Sequence, residues 1–215
     1  MKVTIAEELL LLAYSEDEGK QLISATQLDA ALGGAILAEL AVNERISLSD
    51  AKVSVLDPTP LGDEELDAAL ARIAAENKER KPAWWVQKLY SATLRKRLLT
   101  RLAEAGVLAE ERGKVLGVFP TTRWPEADGS VEADVRERVA GALGGADPDA
   151  RTAVLVAVMH ASKLDRKAFP GADKERVKEI AEGAWAGDAV ATTIAAINSV
   201  IMIAATTAAV TATIS

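Results

Sequence analysis

Apolar side chains return at helical spacing in one segment after another: Leu32, Ile36, Leu37 and Leu40, then Leu66, Leu70 and Ile73, then Leu155, Val158 and Met159. Positions three and four apart share one face of a helix, so each run presents a stripe that must be buried against a neighbour. The side chains available to fill that core narrow the choice further. Hydrophobic residues make up 49% of the chain and aromatics only 4%, so the volume comes from Ala, Leu, Val and Ile. Such residues suit closely packed helices better than an aromatic-rich sandwich. The expected fold is mainly α, a helical bundle with one or two short β-hairpins, and residues 1–215 are expected to form a single domain.

Local signals divide the chain further. Thr4-Ile5-Ala6-Glu7 reads as a capping box opening a helix that runs to Tyr14. Glu7 and Glu8 distinguish this helix from the uncharged core of a signal peptide. A second amphipathic helix is expected over Ala30 to Val42. Residues 45–48 and 52–56 alternate apolar with polar around Ser49-Asp50-Ala51, the pattern of a short hairpin. Asp63 can cap a helix to about Asn77. Trp84 to Tyr90 and Leu94 to Ala105 read as two more helices, the latter closed by Gly106. A second hairpin is expected with Arg112-Gly113-Lys114 at its tip, and Ser130, Asp147-Pro148 and Asp173 as helix starts after it. Ala189 to Ile214 carries no charge over 26 residues, but nine are Ala and six Thr, which suits a buried or partner-packed helix better than a bilayer span.

Several chemistries are excluded early. There is no cysteine and one histidine, which removes disulfides, thiolate nucleophiles and His- or Cys-based metal clusters, and suits a reducing, cytoplasmic setting. No metal or cofactor is expected, since Gly33-Gly34 and Gly144-Gly145 lack the spacing of a phosphate loop. His160, Ser162 and Asp165 can be drawn as a hydrolytic trio, but no nucleophile elbow or oxyanion loop accompanies them. The informative feature is charge. Between Ser91 and Trp124 seven basic residues face three acidic ones, a net +4 in a chain whose total is −7. Arg95, Arg97 and Arg101 on the expected helix, followed by Arg112 and Lys114, are the candidate anion-binding residues, because guanidinium groups match phosphate geometry.

The segments Thr4 to Leu12, Ala31 to Leu40 and Arg45-Ile46 resemble the opening of the Golgi phosphoprotein 3 family. The similarity continues through Asp57-Pro58-Thr59-Pro60-Leu61-Gly62, Leu66 to Leu70, Arg95-Lys96-Arg97-Leu98 and Glu104-Ala105-Gly106-Val107-Leu108. It covers about residues 3 to 165, and the Ala-rich composition looks more like the bacterial members. The resemblance implies a bundle wrapped by amphipathic helices that docks on membranes through phosphatidylinositol 4-phosphate, without catalysis. The family pocket uses a tryptophan before the second helix, an arginine within it and two arginines three residues apart on the later basic helix. These positions fall on about Ser24, Gly33, Ala92 and Arg95, and only Arg95 keeps the family's residue.

The expected partner is therefore an anionic phospholipid at the cytosolic face of a membrane, bound by Arg95, Arg97 and Arg101, with Arg112, Gly113 and Lys114 as a membrane-contacting tip. Two other functions remain open from sequence. One is an interaction subunit in which the stretch 189–214 packs within a homo-oligomer. The other is a winged-helix DNA module over Leu94 to Phe119, against which the overall acidity argues, because nucleic-acid binding rests on a positive field.

Overall fold

The computed structural model describes residues 3–16, 18–47, 52–115, 119–183 and 195. Helix α1 (Ile5–Ala13) opens in the expected capping box: Glu7 N–H donates to Thr4 Oγ1 at 3.2 Å, and Thr4 N–H donates to the Glu7 carboxylate at 2.8 Å. A second capping box, Ser24 with Gln27, starts α2 (Ala25–Val42) five residues earlier than the apolar spacing suggested. From Leu28 to Leu40 every residue of α2 is buried, so this helix is not amphipathic but central. It packs against α1, α3 (Glu64–Ala75), α4 (Pro82–Leu89), α5 (Ala92–Glu104) and α7 (Ala150–Ala161). At Gly33 the approach of α4 is so close that a Cβ would lie 3.0 Å from the Val86 carbonyl oxygen and 3.3 Å from Tyr90 N.

The caps explain the remaining boundaries. Asp63 accepts the Glu65 and Leu66 amides, Pro82 occupies the first turn of α4, and Ser91 Oγ accepts the Leu94 amide to start α5. Gly106, at φ +75°, turns the chain out of α5. Helix α6 (Ser130–Leu143) follows Gly129, with the Ser130 amide held by Asp128 rather than the Ser130 hydroxyl acting as cap. Asp149 caps α7, two residues later than Asp147-Pro148 suggested, because its carboxylate reaches the Thr152 amide at 2.6 Å. Helices α8 (Asp165–Ala168) and α9 (Lys174–Glu182) follow, and Asp173 caps α9 as expected. The stretch 189–214, apart from Ala195, lies outside the described residues.

Two antiparallel hairpins interrupt the helices. In the first, β1 (Ile46–Ser47) pairs with β2 (Ser54–Val55) as the alternation indicated. In the second, β3 (Glu111–Val115) pairs with β4 (Phe119–Arg123), placing Arg112 opposite Thr122, Gly113 opposite Thr121 and Lys114 opposite Pro120. Arg112-Gly113-Lys114 is therefore mid-strand, and the turn falls at residues 116–118, outside the described residues. The glycine and flanking charges imitate a turn locally, but register is set by five cross-strand pairs, in which β-branched threonines suit the pleat.

Charges also enter the interior. Glu132 on α6, 3% exposed, is held by Arg136 at 2.7 Å, yet burial pushes its carboxyl up to about 7 against that guanidinium's pull, and Glu126 and Glu16 add to the rise. The folded state thus binds more protons than the unfolded chain between the ordinary value of 4.5 and about 7. This contribution to stability is complete below the unfolded value and is lost as pH rises through the folded one. Glu132→Gln is expected to remove a slope on the order of 2 kcal/mol between pH ~5 and ~8. Urea midpoints of both proteins across that range check it: parallel profiles would refute the assignment.

Candidate functional site

The cations singled out in sequence divide between two faces of α5. Arg97 and Arg101, one turn apart, lie against α1 and the start of α3. Arg97 forms a two-pronged pair with Glu65, the Nη2 contact at 2.8 Å. Arg101 donates to Glu7 and to Asp63, each at 2.7 Å. The depression beside them, about 320 Å³, is also lined by Glu64 and Glu104. Glu64, Glu65 and Glu104 make this hollow rich in carboxylates, a poor setting for an anion, and Arg97 and Arg101 tie α5 to α1 and to the start of α3 there.

Arg95 points the other way. Its guanidinium donates to the Ala25 carbonyl at 3.3 Å and forms an ion pair with Asp29 of α2 at 3.1 Å. Burial raises the Asp29 carboxyl pKa while Arg95 pulls it down. Here a groove of about 580 Å³ opens between the start of α5, the second hairpin and the connection from α1 to α2. Arg95, Lys96 and Arg112 bring three cations to it, with Glu110 the single acidic side chain among its lining residues. Tyr14, Gln21, Thr122 and Trp124 add hydroxyls, an amide and an indole. The Tyr14 hydroxyl donates to Gln21 Oε1 at 3.4 Å, and burial lifts its pKa to about 12, so it stays a protonated donor at physiological pH.

Each wall has a local reason to be where it is. Ser91 starts α5 so that Ala92, Arg95, Lys96 and Leu99 line one side. Just before the hairpin, Glu110 meets Arg112 of β3 through two hydrogen bonds, while Glu111 does not line the groove. Gly19, at φ +57°, lets the α1–α2 connection lie directly on Trp124 and Pro125, and its carbonyl accepts the Trp124 amide at 3.2 Å.

Of the residues expected to contact lipid, the groove therefore gathers Arg95 and Arg112 but neither Arg97 nor Arg101. Gly113 lies in the strand beside it, and Lys114 belongs to the same strand. Lys96, Tyr14, Gln21, Thr122 and Trp124 were not singled out by sequence reasoning. They come from four separate stretches of chain, and only Lys96, beside Arg95, carried a local charge signal. Ala92, at one family pocket position, does line the groove, whereas Gly33, at another, is buried against α4, where a long side chain has no space. Ser24, at the tryptophan position, caps α2 next to the Ala25 carbonyl that Arg95 holds.

The hydrolytic trio does not form. Ser162 Oγ is buried and donates back to the Val158 and Met159 carbonyls at 2.8 and 3.1 Å, while His160 Nδ1 meets Asp165 at 3.0 Å. Among the described residues there is no group of three His, Cys, Asp or Glu side chains placed to hold a metal.

The described residues form a helical bundle with a cationic groove beside its second hairpin. The family model for Golgi phosphoprotein 3 (GPP34) matches residues 5–197, and the chain belongs to that family.

Proposed function

We propose that this protein is a non-catalytic peripheral membrane module that binds the phosphorylated headgroup of an anionic lipid, phosphatidylinositol 4-phosphate or a close equivalent, at the cytosolic face of a membrane. One observation carries the reading: Arg95, Lys96 and Arg112 converge from a helix and a hairpin on one groove that Tyr14 and Trp124 complete. Guanidinium groups bind phosphate oxygens in a fork, and an ammonium adds a mobile point charge. Family membership supports the binding role, and the groove replaces the pocket arginines missing at Gly33 and Ala92 with Lys96 and Arg112 from other directions.

The test is co-flotation with vesicles containing phosphatidylinositol 4-phosphate, phosphatidylserine or neutral lipid, at low and physiological salt. Binding to the phosphoinositide is expected, weakened by salt because exposed charges are screened. Lys96→Ala removes an exposed cation without disturbing the core and is expected to weaken binding roughly fivefold. Arg95→Ala is a less clean probe, since it also strands the buried Asp29 carboxylate. Flotation of Lys96→Ala indistinguishable from wild type, or no flotation on any anionic vesicle, would defeat the proposal.

A further inference from the structure

One exposed cation of the groove, Arg112, already has an anion. Arg112 Nε meets Glu110 Oε1 at 2.9 Å and its Nη2 meets Glu110 Oε2 at 3.2 Å, the two-pronged geometry in which guanidinium also takes a phosphate. The Arg112 side chain is 78% exposed and that of Glu110 32% exposed. Hydrogen bonding from Arg112 lowers the Glu110 pKa, with Lys96 adding to the fall, so the carboxylate is charged at any physiological pH. A surface pair of this kind contributes little to stability, so it opens readily when a stronger anion arrives.

We infer that Glu110 is a built-in competitor that occupies the phosphate position on Arg112 and thereby sets the groove's selectivity for a doubly charged phosphomonoester headgroup over singly charged lipids. The inference rests on the headgroup reading proposed above. A phosphodiester or carboxylate headgroup carries the same single charge as Glu110 and must displace a tethered rival without electrostatic advantage. A phosphomonoester close to its dianion, with three oxygens to share among Arg95, Lys96 and Arg112, outbids that carboxylate. Glu110, just before β3, is two residues from Arg112, so the competitor's local concentration is high whatever the salt.

Glu111 provides the control: it is also exposed and acidic, but it stands opposite Arg123 in the hairpin and does not line the groove. Glu110→Gln is expected to bind vesicles containing phosphatidylinositol 4-phosphate roughly fivefold more tightly than wild type, and phosphatidylserine vesicles to gain by a larger factor, narrowing the preference between them. Glu111→Gln makes the same change in net charge and is expected to alter either affinity by less than about twofold, because the effect is local. Equal gains in the two variants, or wild-type affinity in Glu110→Gln, would overturn the inference while leaving the headgroup reading intact. The Arg112 side-chain Nε–Hε resonance, titrated with inorganic phosphate, supplies a readout independent of membranes. In Glu110→Gln it should shift at lower phosphate than in wild type. If vesicles bind neither protein but that difference appears, the competitor stands and the lipid reading falls; a resonance indifferent to phosphate in both overturns the competitor.

Discussion

Arg151→Ala is expected to lower the unfolding free energy by about 3–5 kcal/mol, because it leaves buried carboxylates without their partner. The Arg151 guanidinium reaches Glu8 at 3.2 Å, Glu39 at 2.6 Å and the Val3 carbonyl, tying α7 to both α1 and α2. Glu8 and Glu39 are 4% and 4% exposed. After the substitution Glu8 keeps Arg138 at 2.7 Å, but Glu39 keeps only the Ile5 amide. Burial already raises the Glu8 pKa against the pull of Arg151 and Arg138, so in the variant, with one of those two guanidinium groups gone, Glu8 takes up a proton more readily. The deficit should therefore be smaller at mildly acid pH than at neutral pH. Urea unfolding at both values measures this, and a loss under about 1 kcal/mol at neutral pH would show that the network is not what joins these helices.

The second large effect belongs to Gly19→Ala. Gly19 sits at φ +57°, and a Cβ there would lie 2.3 Å from Pro125 N and 2.5 Å from the Trp124 backbone. Backbone atoms cannot swing aside as a flexible side chain can. Left-handed strain of roughly 1 kcal/mol adds to an overpacking cost of about 1–3 kcal/mol, for a total near ~3 kcal/mol and a melting temperature roughly 6–12 °C lower. The displaced strand carries Thr122 and Trp124 away from Tyr14 and Gln21, so vesicle binding should fall even at temperatures where the variant is folded. A melting point within about 2 °C of wild type would contradict the close approach.

Much of the helical framework was legible because its signals are local. The Thr4–Glu7 capping box, Asp63, Asp173 and Gly106 each mark a boundary through hydrogen bonds or φ values that only near neighbours in sequence determine. The errors arose where two local readings competed. Asp147-Pro148 resembled a helix start but Asp149 had the reach, and Arg112-Gly113-Lys114 resembled a turn but paired as strand. For α2 the apolar spacing missed the first turn because Gln27 and the buried Asp29 are polar, and their roles depend on a cap and on Arg95.

The candidate site was legible only as a surplus of positive charge between Ser91 and Trp124, since charge is additive and independent of direction. Which cations face a ligand depends on where each carboxylate lies in space. Glu65, Glu7 and Asp63 neutralise Arg97 and Arg101 from segments more than thirty residues away, as the separations of 32, 94 and 38 positions show. Likewise Tyr14 and Trp124 share a groove because Gly19 lets two distant stretches touch. The sequence by itself determined that helices would form, where most begin, and that a cationic segment would lie in an acidic chain. Only the tertiary structure decided which of those cations lie in a carboxylate-rich hollow and which line the groove beside the second hairpin, because long-range placement follows from packing and has no period along the chain.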